Sequence, residues 1–264
     1  MQSYINEKQQ KRKKLILKIK IYGSFIFLVL LIIGIFYLFI YSPLFQIKKI
    51  NNNLSEGDIK DFDKIKSDLA FFFATRSKTA SILGTSNMLI WKNYAEDFLK
   101  YQPTISNLTI EKDYFNRTIN INIENRKKFG IFCSIAECWW FDKNGIIFEK
   151  ASRIEGEIIY NINDLSNRKL EIGEMILPRN FFNNAIKIFE VIEEIGLSIK
   201  TLNINSLELQ EAYIESPLIP RIYFSLRFAP NFNNTVFQNL KEVKLQKIEY
   251  IDLRVENRVY YKLK

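Results

Sequence analysis

Apolar and polar positions follow three different patterns along this chain. From Ile21 to Tyr41 there is no alternation at all: IYGSFIFLVLLIIGIFYLFIY carries no charged residue. As a helix, that stretch is roughly 31 Å long, about the thickness of a bilayer's hydrocarbon core. Tyr22, Tyr37 and Tyr41 lie toward its ends, where amphipathic rings meet headgroups. A buried soluble helix of this length keeps a polar stripe, and a cleaved signal peptide has a shorter apolar run followed by small residues. The pattern predicts a single transmembrane helix.

After the anchor the period changes to two and then to 3.6. Phe45, Ile47 and Lys49 alternate with Gln46, Lys48 and Ile50, a short strand that the Asn run 51–53 is expected to break. Ser55, three residues before Asp58, resembles a capping box, and Ile59, Phe62, Ile65 and Leu69 recur at helical spacing. Residues 74–87, ATRSKTASILGTSN, read as a loop. Tyr94, Phe98 and Tyr101 mark one face of a second helix, which Pro103 stops. Leu108 and Ile110 then alternate with Thr109 and Glu111, a turn follows at Asp113 to Asn116, and TININIEN sets Ile119, Ile121 and Ile123 on one face. Residues 43–126 thus form a compact β-α-α-β-β unit, two helices covering one face of a small sheet.

From residue 127 the pattern predicts a second, mainly antiparallel β domain with flanking helices, making the whole an α+β protein. FGIFC and CWWFD flank Ser134 to Glu137 as a hairpin, which sets Cys133 opposite Cys138. Outside the cytoplasm that pair is a candidate disulfide, with buried free thiols, or a metal or catalytic role, the alternatives. KNG makes a turn before the strand IIFEK, and IEGEIIYNIN is strand-like. Pro178 opens a helix with Phe181, Phe182, Ala185, Ile188, Phe189 and Ile192 on its apolar face, closed by Gly196. Residues 197–215 and RIYFSLRF read as strands, with Pro217 and Pro220 as turn residues between them. Asn234 or Thr235 caps a further helix through Val236, Leu240 and Val243. The chain closes on EYIDLRVENRVYYKLK, which reads as one long outer strand with one apolar and one charged face.

Charge fixes the direction of the anchor. Of a net +9, residues 1–20 hold six: Lys8, Lys11, Arg12, Lys13, Lys14, Lys18 and Lys20 against Glu7. Such a cluster stays cytoplasmic, so residues 42–264 are expected outside, and the basic pI of about 9.3 reports topology rather than nucleic acid. The chain has no His, which removes Ser-His-Asp and Cys-His nucleophile systems and His-ligated zinc. Glu193 and Glu194 fall on the polar side of a helix, Asp142 supports the Asn144-Gly145 turn, and Trp139-Trp140 face alternately from a strand. No phosphate-cradling loop or nucleophile elbow occurs. The expectation is a non-enzymatic protein without cofactor, metal or small-molecule substrate.

The order of these parts resembles the FtsQ/DivIB family of bacterial division proteins: basic tail 1–20, anchor 21–41, a POTRA-like unit 43–126 and a β domain 127–264. TININIENRKKFGIF resembles the family's Glu-Arg junction through Glu124 and Arg126, with Asn125 between them. WFDKNGIIFEKA resembles its Asp-x-x-Gly hairpin through Asp142, Gly145 and Phe148, and Ile251-Asp252-Leu253-Arg254 matches its closing strand. Val255 departs from the aromatic residue frequent there, and the Cys133–Cys138 pair is not a general family feature. The resemblance implies a scaffold at the division septum, in the cytoplasmic membrane. There it would bind FtsB/DivIC-like and FtsL-like single-pass proteins by strand addition for septal cell-wall synthesis. Residues carrying this role would be Tyr250, Asp252, Arg254, Val255, Glu256, Asn257 and Arg258. A POTRA-bearing secretion or envelope-assembly protein is the alternative.

Overall fold

The computed structural model describes residues 2–54, 62–76, 78–91, 95–135, 137–154, 156–166, 168–232, 234–242 and 245–264. The expected capping box at Ser55 and Asp58, the helix positions Ile59 and Tyr94, and Val243 lie outside the described residues. The fold is α+β, with a long apolar N-terminal helix, a three-stranded sheet and a nine-stranded mixed sheet carrying helices.

Helix α1 (Gln2–Tyr41) runs unbroken for 40 residues. It starts well before Ile21 because the Gln-, Lys- and Leu-rich tail consists of good helix formers. Its segment Lys13–Leu38 is long and apolar enough to cross a bilayer, which fits a single membrane anchor or a signal sequence. The chain then divides into two compact units, Met1–Phe98 with Asn107–Ile123, and Leu99–Ser106 with Glu124–Lys264.

The small sheet contains β1 (Lys49–Leu54), β2 (Ile105–Asp113) and β3 (Thr118–Asn125) in the order β1-β3-β2. The Asn run does not break the first strand, as the sequence led us to expect; it lies inside β1, which pairs in parallel with β3. Asn51 Nδ2 donates to Asn120 Oδ1 at 3.1 Å, which satisfies that amide across the strands, whereas the buried Asn52 Oδ1 has no hydrogen-bond partner among the described residues. Phe45 ends a 3₁₀ turn (Pro43–Phe45) instead of starting the strand. Ile119, Ile121 and Ile123 are fully buried, as their alternation predicts. The helices of this unit are α2 (Phe62–Thr75), α3 (Lys78–Leu83) and α4 (Ala95–Tyr101). Helix α3 occupies the stretch expected to be loop; six residues form little more than a turn before Gly84, whose φ of +74° ends it. Phe73 packs on Trp91 and Phe72 on Phe98, each pair 5.4 Å between ring centroids. Tyr101 does not share the buried face of Phe98, because α4 ends there and leaves its ring exposed.

In the second unit the sheet runs β12-β11-β10-β9-β8-β7-β4-β5-β6. In chain order the strands are β4 (Gly130–Cys133), β5 (Cys138–Phe141), β6 (Ile147–Ala151), β7 (Tyr160–Asp164), β8 (Thr201–Ile204), β9 (Glu211–Ser216), β10 (Ile219–Ser225), β11 (Ile248–Leu253) and β12 (Tyr260–Leu263). Pairs β4/β7, β7/β8 and β10/β11 are parallel and the other pairs antiparallel. Helices α5 (Arg179–Glu194) and α6 (Asn234–Glu242) contribute to the core on one face only. Phe182, Ala185, Ile188, Phe189 and Ile192 of α5 bury with Phe132, Ile162, Leu202, Ile214, Ile222 and Phe224 of the sheet. Pro178 and Gly196 bound α5 as predicted. The 197–215 stretch splits into β8 and β9 at a turn where Gln210 takes φ +57°. Pro220 sits inside β10, at a register irregularity between Ile219 and Ile222, where a missing donor is tolerated.

Two features lock this unit locally. Cys133 and Cys138 pair across the β4–β5 hairpin and are joined as a disulfide, with Cα atoms 4.1 Å apart. Arg126 pairs with the buried carboxylate of Asp142, and its Nε donates to the Pro103 carbonyl at 2.8 Å. The other Asp142 oxygen accepts the amides of Asn144 and Ile146 at 2.9 and 3.0 Å, so both carboxylate oxygens are hydrogen-bonded.

Two stability outcomes follow. Asp142→Ala leaves the Arg126 guanidinium without its carboxylate and should cost about 3–5 kcal/mol in denaturant unfolding, whereas the double change Arg126→Met with Asp142→Asn, which keeps an acceptor for the Asn144 and Ile146 amides, should cost less. Replacing both cysteines by Ser should cost about 2 kcal/mol, the loop-closure term for so short a ring, with the fold retained.

Candidate partner-binding surface

The sequence places one long strand at the C-terminal end; the structure places a hairpin. Strand β11 ends at Leu253 and β12 returns antiparallel to it, with Ile251 opposite Tyr261 and Asp252 opposite Tyr260. The reversal occupies residues 254–259. The Arg258 amide donates to the Val255 carbonyl at 3.2 Å, and Asn257 takes φ +58°, a conformation that Asn tolerates better than most residues. Val255 and Val259 concealed this turn by keeping the apolar alternation in phase on either side of Asn257.

The seven residues singled out from the sequence therefore fall into two groups. Tyr250, Asp252 and Arg254 are half-buried on the helix-free face of the sheet, while Val255, Glu256, Asn257 and Arg258 are exposed in the turn. The edge strand is β12, which sequence reasoning did not single out. All four of its residues are exposed, including the apolar Tyr261 and Leu263. The Lys264 amide donates to the Lys247 carbonyl at 2.9 Å, toward β11. Alternation then turns the N–H and C=O of Tyr261 and Leu263 outward, away from the sheet. Such a row is a template for another strand.

Beside this edge the open face carries a cross-strand ladder. Register aligns Asn163, Asn203, Tyr213, Tyr223, Asp252 and Tyr260 in one row across six strands. The rings of Tyr213 and Tyr223 lie 6.1 Å apart, and those of Tyr223 and Tyr250 5.8 Å apart, edge to face. Cations cover them: Arg221 at 4.7 Å from Tyr213 and Arg254 at 4.9 Å from Tyr223. Arg254 also holds Asp252 through two nitrogens, at 2.6 and 2.9 Å, and Glu211 at 2.8 Å. Arg221 grips Glu215 through both carboxylate oxygens at 2.8 Å. The Arg254 hydrogen bonds hold the Asp252 carboxyl below its ordinary value despite partial burial. This arrangement is a charge-compensated platform of stacked rings and ion pairs. Tyr213, Tyr223, Arg221 and Glu211 were missed as site residues; their signal was the aromatic and charged alternation in EAYIES and RIYFS.

The two Trp residues lie away from this ladder. Trp139 is buried against Phe132, and Trp140 is half-buried on the opposite face with Lys128 Nζ 4.9 Å from its ring. No protein-family model matches the sequence, and no curated protein matches it significantly.

A depressed carboxyl contributes stability above its unfolded-state pKa, and that contribution disappears as pH falls through the folded-state value. Asp252→Asn should therefore unfold more easily than the parent at neutral pH. In acid titrations the gap should narrow below about pH 4, the ordinary carboxylate range.

Proposed function

We propose that this protein is a non-enzymatic, single-pass scaffold of the FtsQ/DivIB type in the cytoplasmic membrane. In this reading its basic tail faces the cytoplasm and its two external units hold FtsB/DivIC-like and FtsL-like partners during septal cell-wall synthesis. The observation that carries it is the exposed β12 edge. Four exposed residues, three of them large hydrophobics, border outward-facing backbone groups beside the Tyr/Arg platform. An extended partner segment laid along β12 gains main-chain hydrogen bonds from Tyr261 and Leu263 and covers their side chains. The platform residues Tyr250, Asp252 and Arg254 then give side-chain selectivity on the adjoining face. The order of elements, the Glu124 and Arg126 junction, the Asp142–Gly145 hairpin and the Ile-Asp-Leu-Arg strand lend further support through the resemblance described above.

The test is affinity capture of the full-length protein from gently solubilised membranes, with co-captured proteins identified by mass spectrometry. Small single-pass coiled-coil proteins should be recovered with the parent. Tyr261→Pro removes one outward donor without touching the β11–β12 bonds and should lower that recovery at least tenfold with thermal stability retained. Recovery of secretion or outer-envelope components, unchanged in Tyr261→Pro, would overturn the reading.

A further inference from the structure

A second open edge exists in the first unit, on β1. The Lys48 amide donates to the Arg117 carbonyl at 2.8 Å, toward β3, whereas the Ile47 amide donates to the Ser86 carbonyl at 2.8 Å, on the opposite side. Alternation along β1 therefore turns the backbone groups of Lys49 and Asn51 away from β3. The chain itself shows how this edge is paired. Residues 86–87 meet it antiparallel, through the Ser86 carbonyl and a bridge between Gln46 and Asn87, and then turn away into the Met88–Ile90 helical turn. Among the described residues, no backbone group continues that pairing past Ile47.

Where the pairing stops, a groove of about 420 Å³ opens between β1 and α2. Ile50, Ala70 and Trp91 give it an apolar floor, and Lys48, Lys49 and Lys66 face one acid, Asp63, around its rim. Lys48 and Lys49 are exposed and none of the three lysines has an ion-pair partner among the described residues. Backbone groups facing outward, an apolar floor and a surplus of positive charge select one kind of occupant.

We propose that the β1 edge takes an extended, acidic segment of a partner protein as a further antiparallel strand, with apolar side chains in the groove and carboxylates on Lys48, Lys49 and Lys66. This site is separate from the β12 edge and does not depend on it. Alternating side chains on the added strand would meet the floor and the rim in turn. It explains why a strand as polar as Lys-Ile-Asn-Asn-Asn-Leu remains at a sheet edge, where lysines also discourage unselective pairing.

The test uses the full-length protein in nanodiscs and two fluorescent octapeptides, alternating Glu and Val or alternating Lys and Val, read by polarisation. The Glu/Val peptide should bind at least tenfold tighter than the Lys/Val peptide. Lys48→Glu with Lys66→Glu should weaken it at least tenfold, and Asn51→Pro, which removes an outward donor, at least fivefold. Tyr261→Pro should leave it unchanged, which separates this site from the β12 edge. Equal binding of the two peptides, or full binding by the Lys48→Glu/Lys66→Glu variant, would overturn the proposal. So would a dimer of the parent that Asn51→Pro dissociates, since a second copy would then fill the edge.

Discussion

The grip of Arg254 on Asp252 and Glu211 fixes the end of the β domain. A guanidinium lying over Tyr223, held by two carboxylates, clamps the chain where β11 stops. It ties three neighbouring strands together, because Glu211 is on β9, Tyr223 on β10 and Asp252 on β11. With that point fixed, the next residues are free to reverse through Asn257, and β12 comes back as the outermost strand. A planar, bidentate cation does this better than Lys, whose point charge cannot bind a carboxylate through two nitrogens while stacking on a ring.

The nine-stranded sheet treats its two faces differently. Helices α5 and α6 cover one with Phe and Ile, giving a continuous apolar core. The other carries paired polar side chains, Asn163 with Asn203, Arg221 with Glu215 and Lys262 with Glu249, together with an apolar cluster of Ile131, Cys133 and Cys138. That compensation reaches β12 through Lys262, while Tyr261 and Leu263, opposite Ile251 and Ile248 on the other face, are exposed. An unpaired edge beside a charge-compensated platform is the physical basis of the proposed capture of an extended partner segment.

Much of the fold was legible because hydrophobic period tracks secondary structure. The alternation of Ile119, Ile121 and Ile123, the helix bounded by Pro178 and Gly196, and the facing cysteines all appear where the pattern put them. The failures share a physical cause: each depends on pairing that lies far away in sequence. Asn51 is acceptable in a strand because Asn120 receives its amide, which no local window shows. Pro220 is acceptable inside β10 because the register slips there. The closing hairpin was hidden because Val255 and Val259 keep the alternation in phase across the turn. Of the site, Tyr250, Asp252 and Arg254 were legible, whereas Tyr213, Tyr223 and the β12 edge needed the register of the whole sheet.

If a partner strand completes β12, the edge must be open in the free protein. Residue-resolved amide hydrogen exchange on the full-length protein in nanodiscs tests it directly, alone and with the captured single-pass partner. Lys262 and Lys264, whose amides face β11, should be protected in both states. Tyr261 and Leu263 should exchange rapidly alone and become protected only with the partner. Equal protection of all four amides in the free protein, or protection on binding that leaves Tyr261 and Leu263 unchanged, would contradict the account.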